Sequence, residues 1–95
     1  MAGAGKYRSK LRIYADIIGT IDKTGGKTRT TKLLYGANLP HDRLKEYLDQ
    51  LLQRGLVQET KENDHSSYEL TQAGLRFIQE FRRMEKFAEA FGFKI

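Results

Sequence analysis

From Leu11 onward, apolar residues return every three or four positions: Leu11, Tyr14, Ile17, Ile18 and Ile21. That is the period of a helix that buries one face, and Ser9 stands where an N-cap side chain would accept a backbone N–H. Gly25-Gly26 ends the run, since glycine takes the left-handed turn that closes a helix without steric cost. Thr28 or Thr30 can cap a second, short helix carrying Leu33, Leu34 and Tyr35, which Gly36 ends. Pro40 suits the first turn of a third helix, where a missing N–H loses no intrahelical bond. Leu44, Leu48, Leu51 and Leu52 share one face of that helix, with Tyr47 beside them, as far as Arg54 and the stop at Gly55. The pattern then becomes short and extended, "LVQET" and "SSYEL" with Val57 and Tyr68 apolar among polar neighbours. The purely polar "KENDHS" between them reads as a hairpin tip. Thr71 caps a last helix, "QAGLRFIQEFRRMEKFAEAF", which reaches about Phe91.

The break between the second and third helices, within "KLLYGANLPHDRLKEYL" at residues 32–48, traps Leu39 inside the turn. A short helix, a tight turn and a longer helix at a steep angle make a helix-turn-helix, in which an apolar turn residue plugs the angle. Leu39 fills that role, Gly36 frees the backbone, and the hairpin that follows becomes a wing. The expected fold is mainly α with a small β-hairpin (α+β): a winged helix-turn-helix followed by a long C-terminal helix. Within 95 residues this divides into a basic N-terminal arm at 1–9, the winged helix-turn-helix at 10–71 and the last helix at 72–95. There is room for one core.

Charge adds a direction to this picture. A formal net charge of +5 and a pI near 9.6 point toward polyanions such as nucleic acid. The basicity sits in the first third: "KYRSKLR" carries Lys6, Arg8, Lys10 and Arg12, and "KTGGKTRTTK" carries Lys23, Lys27, Arg29 and Lys32, neither with an acid. By contrast "VQETKENDHSSYEL" sets Glu59, Glu62, Asp64 and Glu69 against Lys61.

Several chemistries drop out. The chain has no cysteine, which excludes disulfides, thiolate metal sites and cysteine nucleophiles. Gly26-Lys27-Thr28 imitates the end of a phosphate-binding loop, but position 21 is Ile where that loop needs glycine, and a helix precedes it. His41-Asp42 and Asp64-His65 lack further ligands and read as solvated pairs. The five tyrosines fall mostly on apolar faces or strand positions and read as core packing with the hydroxyl at the edge. No nucleophile–base arrangement stands out, so neither enzyme, metal, cofactor nor small-molecule substrate is expected. No apolar run approaches the roughly 20 residues of a membrane span. "MAGAGKYRSK" has no secretory-type stretch and lacks the myristoylation pattern, so the expectation is a soluble, cytoplasmic protein.

"TKLLYGANLPHDRLKEYLDQLLQRGLV" followed by "YELTQAGLRFIQEFRRM" resembles the small archaeal winged-helix DNA-binding proteins that dimerise through a C-terminal antiparallel coiled coil. The resemblance spans about residues 10 to 87, and its most specific elements are "YGANL" with Tyr47 downstream, then Tyr68-x-Leu70-Thr71-x-x-Gly74. It implies a homodimer that binds duplex DNA as a regulator or a chromatin-type, nucleoid-associated protein. It places His41, Arg43 and their neighbours at the major groove and the hairpin tip, with Lys61, near the backbone.

On the residues themselves, Lys27, Arg29 and Lys32 are the expected phosphate contacts, helped by the basic arm. His41, Arg43, Lys45 and Gln50 are expected at base edges or the groove wall. With Leu44, Leu48 and Leu51 turned inward, the outward centre of the third helix is Asp42, Glu46, Asp49 and Gln53, flanked by Arg43, Lys45, Gln50 and Arg54. Carboxylates there repel phosphate, although Glu can accept from cytosine N4. Two rivals follow: a winged helix used for protein contacts, favoured by the acidic row, and an RNA-binding module led by "KYRSKLR". In the last helix Phe77, Phe81, Met84, Ala88 and Phe91 step by four, three, four and three, the spacing of a coiled-coil seam. Leu75 and Ile78 lie on another side and are expected to pack on the domain, which leaves the aromatic seam for a partner chain.

Overall fold

The computed structural model describes residues 8–95, so most of the basic arm assigned to 1–9, Lys6 included, lies outside the described residues. The chain order is α1 (Lys10–Lys23), β1 (Lys27–Arg29), α2 (Thr30–Gly36), α3 (His41–Gln53), β2 (Val57–Glu62), β3 (His65–Leu70) and α4 (Gln72–Ala90). This is a winged helix: α2 and α3 form the helix-turn-helix, β2 and β3 the wing, and α4 the long C-terminal helix.

Side-chain caps fix where the two longest helices begin. The Ser9 hydroxyl accepts from the Arg12 amide at 3.0 Å, and the Thr71 hydroxyl accepts from the Gly74 amide at 3.1 Å. Each such cap is worth about 1 kcal/mol. Ile17, Ile18 and Ile21 of α1 are fully buried against Leu33 of α2 and Leu44 and Leu51 of α3. Leu39 is buried in the α2–α3 turn. The wing closes over Asn63-Asp64, both with positive φ, the backbone twist that matches a two-residue hairpin.

Five details depart from the sequence reading. Residues Lys27–Arg29 form a third strand, pairing antiparallel with β3 through Thr28↔Tyr68, so the sheet order is β1-β3-β2. Thr28 is therefore a strand residue, and the N-cap of α2 is Arg29, without a side-chain cap bond. Gly36 does not relax the backbone, because the left-handed residue of the turn is Asn38 (φ 54). Glycine is favoured at 36 by a close approach: a Cβ there would run into the Thr20 side chain on α1. Tyr35 is 83% exposed rather than packed, since on a seven-residue helix whose core residue is Leu33 it points roughly 160° away at 100° per residue.

The fifth departure concerns α4. Phe81 and Ala88 are already covered by their own chain, Phe81 to 5% exposure, with Phe77 stacked on it at 6.3 Å. Phe81 lies only about 60° round the helix from Ile78, which packs on α1. Leu75, expected on the core, is exposed. The uncovered apolar row is Met84, Phe87 and Phe91, at 38%, 68% and 66% exposure, with Phe77 half-buried at its edge. The seam of Phe77, Phe81, Met84, Ala88 and Phe91 is thus split between the core and the surface.

Candidate nucleic-acid interface

The helical period divides the polar residues of α3 into three faces around its buried leucines. Asp42, Glu46, Asp49 and Gln53 are exposed and outward. On the side toward the wing, His41 and Lys45, with Asp49 at the border of the outward row, line a cleft of about 70 Å³, whose far wall is Thr30 of α2 and Tyr68 of β3. Burial, and after it the negative charge of Glu59, pushes the Tyr68 phenol above its ordinary value. Strand alternation puts Lys61 on the same face of β2 as Val57 and Glu59, the face turned toward α3.

The opposite flank of α3 is occupied by its own aromatic contacts. Arg43 Nη2 donates to the Tyr47 hydroxyl at 3.1 Å, with the guanidinium 5.5 Å over the ring, and this bond raises Arg43 above its ordinary value. The Tyr14 hydroxyl donates to Gln50 Oε1 and accepts from Arg54 Nε. The two rings meet edge to face at 6.2 Å. Gln50, expected at the groove wall, is thereby held toward α1.

The cations ahead of α3 are also separated. Lys27 and Arg29 lie on the sheet face turned away from α3, opposite Glu69 and Ser67, and Lys27 Nζ is 3.1 Å from the Glu62 carboxylate. Lys32 is exposed on α2. Among the described residues, Lys32, Lys45 and Lys61 make no ion pair. Two cations of "KYRSKLR" are structural. Arg8 binds Asp16 at 2.7 Å, while Arg12 binds Glu85 at 2.7 Å and lies 4.9 Å over the Phe81 ring.

So the fold brings His41, Lys45 and Lys61 to one face and disperses Lys27, Arg29, Arg43 and Gln50 to others. Thr30 and Tyr68 join the cleft unexpectedly. The strand position of Tyr68 was legible in the sequence, but that it faces α3 depends on the register of the sheet. Among the described residues no group of three or more His, Asp or Glu side chains could hold a metal ion, and no helix is long and apolar enough to cross a membrane.

A family model for the winged helix-turn-helix matches residues 7–89. The chain belongs to the winged helix-turn-helix family. This winged helix-turn-helix protein is similar to Sso10a-2, a DNA-binding protein from Sulfolobus solfataricus, at 28% identity and a TM-score of 0.79, covering 88% of this chain and 85% of that one. It shares its fold with the protein named F93 from STIV, a winged-helix DNA-binding protein, at 15% identity and a TM-score of 0.71, covering 82% and 90%. A MarR-family transcriptional regulator from Silicibacter pomeroyi has the fold too, at 22% identity and a TM-score of 0.66. There the match covers 79% of this chain but 50% of the other. No curated protein matches the sequence.

Proposed function

We propose that this winged helix-turn-helix protein binds duplex DNA as a homodimer, as a transcription regulator or a chromatin-type architectural protein. The observation that carries the reading is the similarity to Sso10a-2, a DNA-binding protein, across 88% of the chain. The charge agrees, at a net +5. Residues 10–71 form the binding unit and 72–95 the dimerisation helix, and the protein works in the cytoplasm, on the nucleoid.

In this reading Lys32, Lys45 and Lys61 neutralise phosphates, and His41 meets the groove wall beside Lys45. Lys27 and Arg29 contact backbone flanking the site, Lys27 after release from Glu62. Gln50 is an outlying member that reaches a groove only by leaving Tyr14, while Arg43, exposed and bonded to Tyr47 through Nη2 alone, keeps further N–H groups for the groove. The partner chain covers Met84, Phe87 and Phe91, with Phe77 at the rim, because an aromatic row this exposed on a charged helix is costly to leave in water. Phe81 and Ala88 support the row from beneath.

Fluorescence-anisotropy titrations with duplex DNA, duplex RNA and a salt series test the proposal. Tight, salt-sensitive binding to duplex DNA is expected, and equal or stronger binding to RNA would displace it. A second reading, a protein-contact module, is favoured by the outward Asp42, Glu46 and Asp49. It takes over if neither duplex binds at low salt.

A further inference from the structure

The Arg8 guanidinium lies where α1 meets the helix-turn-helix bend. Its Nη1 donates to Asp16 Oδ2 at 2.7 Å and to the Ala37 carbonyl at 2.6 Å, and its Nη2 donates to the Asn38 carbonyl at 2.9 Å. Ala37 is the C-cap of α2, so the cation sits at the negative end of that helix as well as on a carboxylate. Asn38 is the left-handed residue of the turn, Leu39 is its buried plug, and α3 begins at His41.

We propose that Arg8 is a positioning residue: it locks the α2–α3 bend onto α1, so that α3 is presented at a fixed angle without Arg8 touching nucleic acid. Both Nη atoms are bonded to protein acceptors, and the side chain is partly buried. Asp16 makes the clamp electrostatically possible. Without a cation between them, its carboxylate would face the carbonyl end of α2. Arg12 does not substitute, because its nearest Asp16 contact is 3.9 Å while its other nitrogen is held by Glu85. A lysine has three donors but on a single nitrogen, so it cannot divide them between Asp16 and Ala37 on one side and Asn38 on the other as the two Nη atoms do.

The inference rests on the DNA-binding reading for its affinity readout, and on amide exchange for a readout that is independent of it. The experiment compares wild type with Arg8→Gln, Arg8→Lys and Asp16→Asn, measuring duplex-DNA affinity across a salt series and exchange at single amides. Each variant should lose about tenfold in affinity, the scale of a charge-assisted hydrogen bond. The log–log salt slope of Arg8→Gln should match wild type, because no phosphate contact has gone. Asp16→Asn decides the sign. Removing a negative charge would tighten binding if only the field mattered, whereas a broken clamp weakens it. Exchange of the Asn38 and Leu39 amides, bonded to the Tyr35 and Leu34 carbonyls, should quicken about tenfold while Ile17 and Ile18 stay protected. Arg8→Lys keeps the charge and is the milder change if Arg8→Gln fails to fold. A slope smaller by about one unit for each protomer in contact in Arg8→Gln would make Arg8 a phosphate contact and overturn the proposal. So would tighter or unchanged binding by Asp16→Asn, or unaltered exchange in the turn. If wild type binds no duplex, the functional reading falls and the exchange data alone decide the clamp.

Discussion

Leu39 is buried inside the α2–α3 turn, so Leu39→Ala leaves a cavity where the two helices are wedged apart. Large-to-small core changes cost about 2–5 kcal/mol, which in a domain of this size lowers the melting temperature by roughly 10 °C or more. Calorimetry should show that loss, and a variant that melts like wild type would mean the turn is not plugged. Charge substitutions separate the faces. Arg29→Ala should weaken all duplexes alike and reduce the log–log salt slope by about one unit for each protomer in contact. Glu46→Gln should strengthen non-specific binding by relieving repulsion, unless Glu46 accepts from a cytosine, in which case one sequence class is lost selectively. Anisotropy on a panel of duplexes distinguishes these outcomes, and silence from both would favour the protein-contact reading. Tyr68 gives a pH signature. Its folded-state pKa is raised, so the protonated form is favoured by folding and stability is lost as pH climbs above the ordinary tyrosine value of 10.0. Tyr68→Phe should melt with a shallower decline as pH rises above that value. An unchanged decline would place the cause at other groups. At this scale the sequence was least legible. Gly36 looked like a backbone hinge and is a contact with Thr20, a distinction invisible until α1 and α2 are packed together.

Among the elements, α4 carries the sharpest consequence. A charge at Phe81 would disrupt the monomer's own core and say little about association. Phe87, 68% exposed and on the far side of the helix from Ile78, is the informative position. Phe87→Glu should keep the helical circular-dichroism signal of the fold, shift the mass seen by light scattering from two chains to one, and lower the melting temperature only by the share that association contributes. Wild type that is already monomeric at tens of micromolar (roughly where weak interfaces still form) would remove the seam from consideration. The helices were readable because each carries local signals: Ser9 and Thr71 as caps, Gly55 as a stop, leucines at helical spacing. Strand β1 was not. "KTR" has three residues and no apolar alternation, and it becomes a strand because β3 offers it hydrogen-bond partners.

Over the whole molecule, the cations of the candidate interface fall on separate faces: Lys45 and Lys61 toward the α3–wing cleft, Lys27 and Arg29 behind the sheet, Arg43 against Tyr47. A single duplex cannot meet all of them at once on one straight face. Binding by a dimer should therefore neutralise phosphates through two repeated sets rather than one long track. The salt slope of the monomeric Phe87→Glu protein should be about half that of wild type, since counterion release counts phosphates neutralised. Equal slopes would mean that one protomer makes all the contacts.

Periodicity, caps and turn residues by themselves determined that this chain builds a helix-turn-helix, a wing and a long final helix, because those signals act within a few residues of chain. They also settled the outward acidic row of α3, which follows from helical geometry once the leucines face inward. Only the tertiary structure decided that Arg8 and Arg12 belong to the fold, that Phe81 faces the core while Phe87 faces out, and that Gln50 is held by Tyr14. Those outcomes join residues from 8 to 73 positions apart, or choose between two faces of one helix (about 120° of rotation). The choice is made by the energy of packing α1 against its neighbours, and no local pattern encodes it.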